Sequence, residues 1–169
     1  MPAFKLSPAT TPADFAAAET LLSAFAAWDA AQGAAVGLSP DTVISLFHGD
    51  TAESLARKFG APDTQLILAR QNDRPIGCLG ITPFDETRME LHSFYVDPSA
   101  RGLGVGTALI RAVVDFAAAT ARPTVLVQTT VYMEGAIRLY EAAGFVPCPP
   151  FREIPDIVRK TERFFARPA

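Results

Sequence analysis

The chain has 169 residues, of which 49% are apolar and 20% charged, a balance that can bury one sizeable core and is too apolar for a disordered chain. Its formal net charge of −3 argues against a general nucleic-acid or acidic-membrane surface, which needs a basic excess. No uninterrupted apolar run approaches the ~20 residues that span a bilayer, and the opening Met1 to Pro8 lacks the apolar stretch of a signal peptide, so a single cytoplasmic domain over 1–169 is expected.

Thr11-Pro12-Ala13-Asp14 reads as a helix start: Thr11 caps, Pro12 suits the first turn, and Asp14 favours the positive end of the dipole. Leu21, Phe25, Trp28 and Gln32 follow on one stripe, with Phe25 and Trp28 read as core, and Gly33 ends the helix. Ser39-Pro40-Asp41 opens a second helix that Gly49 closes, and Asp50 with Glu53 caps a third that Gly60 closes. The first 60 residues are thus expected to be helical.

Gln65 to Arg70 and Ile76 to Thr82 are apolar runs around an Asn72-Asp73 turn, a β-hairpin. Met89 to Val96 reads as a long strand, followed by glycines and by a helix with Val105, Leu109, Val113 and Phe116 on one face. Val125 to Gln128 is a buried strand, Met133 to Ala143 a helix closed by Gly144, and Thr161 to Phe165 an edge strand after a proline-rich stretch. Hairpin-linked strands pair antiparallel, and the two helical crossovers call for parallel neighbours. The fold class is therefore α/β (α+β), a mixed, mostly antiparallel central sheet flanked by helices.

Cys78 and Cys148 have neither close spacing nor histidine neighbours, and His48 and His92 share no ligand motif, so two reduced structural thiols and no metal site are expected. The informative segment runs from Phe94 to Thr107, where a strand leads through Arg101-Gly102-Leu103-Gly104-Val105-Gly106-Thr107 into a helix. Backbone N–H groups free of side-chain obstruction at a helix N-terminus suit an anion, and Arg101 adds charge at the edge. The spacing is G-x-G-x-G rather than the dinucleotide G-x-G-x-x-G, and no G-K-[ST] of a Walker loop is present.

With its flanks, the segment reads V-x-P-x-x-R-G-x-G-x-G-T and resembles the acyl-CoA signature of the GNAT superfamily of N-acetyltransferases. Ala136-Ile137-Arg138-Leu139-Tyr140-Glu141-Ala142-Ala143-Gly144-Phe145 is similar to that superfamily's A-x-x-L-Y-E-x-x-G-F helix, and the likeness covers about Leu66 to Phe145. It implies acetyl-CoA as cosubstrate, with a helical N-terminal part over 1–60 that shapes the acceptor site, a sheet and acetyl-CoA core over 65–145, and a splayed strand pair that holds the pantetheine arm against Phe94, Tyr95 and Val96. The pyrophosphate would lie over Arg101, Gly102, Leu103, Gly104, Val105, Gly106 and Thr107, and the Val96 N–H would polarise the thioester carbonyl. Met133 stands where many members carry an asparagine that faces the cofactor.

The implied reaction moves an acetyl group to a primary amine of a small molecule, peptide or protein. For a lysine-like amine, deprotonation at pH 7 costs ~4.6 kcal/mol, so a base is useful. Glu90 is the candidate base, since strict strand alternation places Glu90, His92, Phe94 and Val96 on one face; His92 is the reserve. Tyr140 is the candidate general acid, because the family aims this tyrosine at the coenzyme sulfur. Cys148 has no His or Asp beside it to form an acyl-cysteine. The alternative from another class is a non-catalytic acyl-CoA sensor. The expected partners are acetyl-CoA and an amine acceptor, with no nucleic acid and no membrane; monomer and homodimer both remain open.

Overall fold

A computed structural model describes residues 3–168. Met1 and Pro2, part of the opening read for a leader, and Ala169, the end of the expected domain, lie outside the described residues. The sheet has seven strands in the order β1-β2-β3-β4-β5-β7-β6: β1 is Lys5–Pro8, β2 Gln65–Gln71, β3 Arg74–Pro83, β4 Arg88–Val96, β5 Thr124–Thr130, β6 Val146–Pro147 and β7 Glu162–Arg167. Every pairing is antiparallel except that of β4 with β5. The mixed, mostly antiparallel class expected from the sequence is the one observed.

Helices cover both faces. On one side α4 (Val105–Ala118) and α5 (Glu134–Ala142) pack Val105, Leu109, Ile110, Val113 and Tyr140 against Ile76, Leu79, Met89, Leu91 and Val125. On the other, α1 (Pro12–Ala35) and α3 (Ala52–Phe59) bury Phe15, Ala18, Leu22, Leu55 and Phe59 against Leu66, Leu68, Cys78 and Tyr95. The alternation Leu66/Ile67/Leu68/Ala69 divides β2 between these two cores, as the period of a strand requires. The short helix α2 (Pro40–Phe47) joins α1 through Ala30, Leu38, Val43 and the tail residue Val158.

Local signals set most element ends. Thr11 and Asp14 form a reciprocal capping box with Pro12 in the first turn of α1, and Asp14 also receives Arg70 Nη2 at 2.6 Å. The hairpin β2–β3 turns on Asn72 and Asp73, both at positive φ (48° and 64°), the mirror-image turn that matches strand twist.

Six expectations are corrected. Residues 1–60 are not all helical: Lys5–Pro8 forms an edge strand on β2, too short for a periodic signal. Gly33 does not end α1 but sits inside it, because a Cβ there would lie 2.6 Å from Val43 Cγ2; the helix needs a glycine for α2 to approach. Helix α2 stops at Phe47 with His48 as its cap, before Gly49. Helix α3 is capped by Thr51 with Ser54 rather than by Asp50 with Glu53. The last strand is no edge: β7 lies between β5 and β6, with Phe164 and Phe165 buried. The chain crosses over through α5 into the two-residue β6 and then folds back, so β7 enters between them antiparallel to β5, and the second crossover does not yield the parallel neighbour expected of it.

Candidate active site

Strands β4 and β5 pair only from Arg88↔Thr124 to Glu90↔Leu126, and beyond that point they part. Between them open a cleft of about 710 Å3 and a cavity of about 370 Å3, which meet at Phe25, Phe94, Met133 and Ala136.

The larger cleft is lined by Phe94, Tyr95, Val96, Arg101, Gly102, Gly104, Val105, Gly106, Thr107 and Met133. Of the residues expected there, Leu103 alone is not in the wall; it points outward at 44% exposure. Gly102 and Gly104 have φ of 81° and 82°, a conformation that glycine adopts freely. Gly104 is the cap of α4 and offers no side-chain acceptor, so the first N–H groups of that helix remain for an anion. Asp97 N–H donates to Ile76 O at 2.8 Å, and strand alternation turns the preceding Val96 N–H to the open side. The dimensions and donors of the cleft therefore fit a long ligand with a diphosphate.

The smaller cavity holds the titratable groups. Glu90 is 4% exposed, not a solvated strand glutamate, and its Oε2 accepts from Arg152 Nη2 at 2.6 Å. Arg152 Nη1 donates to Gln128 Oε1 at 2.8 Å. Asp29, 1% exposed, accepts from the Tyr132 hydroxyl and lies 2.7 Å from His48 Nε2. Glu162 accepts from Gln128 Nε2 at 2.7 Å and from Thr130 Oγ1 at 3.1 Å, and burial raises its carboxyl above the usual range. Tyr140 lies in the wall with its ring 5.8 Å from Phe94 and 5.6 Å from Phe145; burial pushes its phenol up.

Glu90 and His92 do not share a face with Phe94 and Val96. Gly80 pairs with His92 and Cys78 with Tyr95, so β4 carries an extra residue there, and Ser93 sits at φ 59°. This β-bulge reverses the alternation: Phe94 and Val96 pack toward α4 with Met89 and Leu91, whereas Tyr95 packs toward α1. Phe25 and Trp28, read as core, line the cleft as well, and Phe25 meets the His48 ring edge-on at 5.0 Å and lies 5.7 Å from the Tyr95 ring. Cys78 and Cys148 are free thiols; Cys148 lies in neither wall.

His92 Nε2 lies 2.9 Å from Thr82 Oγ1 and 3.5 Å from Glu90 Oε2. Burial first, then the charges of Lys58 and Arg152, hold its imidazole down at about 3, which leaves it little basicity near pH 7. Between pH 6.5 and 3 the unfolded chain binds a proton at this residue that the folded chain refuses, so stability falls as pH falls, by up to ~5 kcal/mol. His92→Gln should flatten that loss in urea unfolding compared at pH 7 and pH 4. An unchanged loss would mean that His92 is protonated in the fold.

Arg152, Gln128, Asp29, Tyr132 and Glu162 were not singled out from sequence. Asp29 alone left a signal there, as an acid one helical turn after Phe25 on the apolar stripe of α1.

Fold and site together define a mixed sheet whose one parallel strand pair opens into a two-chambered cleft beneath an uncapped helix. Residues 30–145 match the Acetyltransferase (GNAT) family, more than half of the chain, and the protein belongs to that family. It is 28% identical over 106 residues to an uncharacterized N-acetyltransferase of Schizosaccharomyces pombe, covering 60% of this chain and 65% of the relative. It is 33% identical over 91 residues to an IAA acetyltransferase of Azospirillum brasilense, covering 53% and 60%. The chain thus spans less than two thirds of the length of these curated relatives. An acetyltransferase of Streptococcus agalactiae superposes with a TM-score of 0.73 at 15% identity, covering 99% of both chains. The Salmonella typhimurium protein yncA with its cofactor acetyl-CoA superposes with a TM-score of 0.70 at 19% identity, covering 97% of this chain and 92% of that one. At such identities the likeness speaks to fold. No described helix is long and apolar enough to cross a membrane.

Proposed function

We propose that this protein transfers the acetyl group of acetyl-CoA to the primary amine of an acceptor seated in the smaller cavity. The observation that carries the reading is the meeting of the two chambers at Phe94 and Met133. The chamber on one side has free helix N–H groups and Arg101, and the other has Glu90 and Tyr140. Family membership supports the reaction type, and the yncA complex supports the choice of acetyl-CoA.

In this reading the α4 N-terminus, with Arg101, Gly102, Gly104, Val105, Gly106 and Thr107, takes the diphosphate, Phe94 to Val96 and Met133 line the pantetheine path, and the Val96 N–H donates to the thioester carbonyl. Glu90 draws the acceptor's ammonium and takes its proton, directly or through water, since His92 is held neutral. Tyr140 keeps its proton at neutral pH and donates it toward the departing sulfur.

Acetyl-CoA at 100 times its dissociation constant should stabilise the fold by ~2.7 kcal/mol, while ATP and NAD, which lack the pantetheine arm, should do less. Gly104→Val should remove the shift by blocking approach to the backbone. With Gly104 at φ 82° the substitution also costs ~1–2 kcal/mol of its own, so the variant's melt without ligand is the reference. No thermal shift with millimolar coenzyme A overturns the cosubstrate assignment. Binding without thiol release against any amine would leave a sensor rather than a transferase.

A further inference from the structure

We infer that the acceptor is a compound whose amine and carboxylate sit on one carbon, a free α-amino acid or close analogue, and that Arg152 takes the carboxylate; this rests on the transfer proposed above. Arg152 is the one lysine or arginine among the described residues of the acceptor cavity. It belongs to the irregular stretch between α5 and β7, which the motifs do not reach.

The guanidinium is held in place before any ligand arrives. Besides its bonds to Glu90 Oε2 at 2.6 Å and Gln128 Oε1 at 2.8 Å, it stands 5.1 Å from the ring of Phe151 and 5.7 Å from that of Phe84. Those two bonds occupy two of its five N–H donors. With 37% of the side chain exposed, donors remain for a ligand, and a fixed planar fork binds a carboxylate with little further loss of freedom. Both contacts of Glu90 are on Oε2, and none of the described hydrogen bonds reaches its Oε1.

The other buried acids of the wall are already engaged. Asp29 is held by Tyr132 and His48, and Glu162 by Gln128 and Thr130. The wall's remaining acid, Glu153, is exposed to solvent, so what the enclosed part of the cavity offers an acceptor is the free edge of the Glu90–Arg152 pair, a negative group touching a positive one. Its complement is a zwitterion laid alongside in the opposite sense, with the ammonium at Glu90 and the carboxylate at Arg152. Because the two protein charges are in contact, an amine and carboxylate on one carbon match them, and groups several carbons apart do not. The volume of about 370 Å3 is near the small end of ligand pockets, ~300–1,000 Å3, as a compact acceptor requires.

The test compares matched pairs, each an amino acid and its α-amide, across several side chains, with thiol release expressed per deprotonated amine. In the wild type the acid should exceed the amide in kcat/KM by about tenfold or more, the worth of one charge-assisted contact. Arg152→Gln should collapse the ratio toward one, Arg152→Glu should reverse it, and Arg152→Lys should keep part of it, each in protein shown by circular dichroism to be folded. A merely structural Arg152 would lower both members of a pair and keep the ratio. Calorimetry of the same pairs with coenzyme A-loaded protein reads the preference without turnover. If the acid binds better there but no amine releases thiol, the transfer reading fails and carboxylate recognition stands. Equal kcat/KM and equal affinity within the pairs in wild type, or a ratio unmoved in Arg152→Gln, overturns the inference, as does a diamine that outperforms every amino acid.

Discussion

Glu90→Gln should lower kcat/KM by about 10²-fold or more near neutral pH, with the loss shrinking as pH rises. The carboxylate's proposed task is to remove a proton that solvent hydroxide removes increasingly well in base. Glutamine is nearly isosteric, and its amide oxygen can still accept from Arg152, so the loss should reflect proton transfer rather than a collapsed wall. A loss equal at every pH would reassign Glu90 to holding the ammonium. No loss with the best acceptor found would remove it from catalysis.

Tyr140→Phe should lower kcat by about 10²-fold and leave acetyl-CoA affinity nearly unchanged. The substitution deletes one hydroxyl and keeps the ring in place against Phe94 and Phe145. Burial raises the phenol's pKa, so the wild-type rate should not break where a free tyrosine would ionise, near pH 10. A break there, or an unchanged kcat with chemistry rate-limiting, would make Tyr140 a packing residue only.

The helix starts at Thr11 and Ser39, the Asn72-Asp73 hairpin, the long strand to Val96 and the glycine loop into α4 were legible because each is decided by residues within one or two turns of chain. A capping box, a positive-φ turn and an uncapped helix N-terminus are local objects, and periodicity reports which face is apolar. The two motifs, close in sequence to their own elements, carried the family.

The misplacements share a different cause. A four-residue β1 and a two-residue β6 bury too little to leave a pattern, and only their partners define them; the interior place of β7 follows from β6 folding outside it. The Ser93 bulge changed which residues share a face with Glu90, since one extra residue in a strand inverts every position after it. A bulge is set by the pairing of β3 with β4, which periodicity in β4 alone does not encode.

By itself, then, the sequence determined the family, the glycine loop into α4 and the identities of Glu90 and Tyr140 as candidates. Tertiary structure alone decided what surrounds them. Arg152 meets Glu90 across 62 positions of sequence, and Asp29 meets Tyr132 across 103. Such contacts depend on how the sheet closes and the tail returns, and they set the polar groups of the smaller cavity.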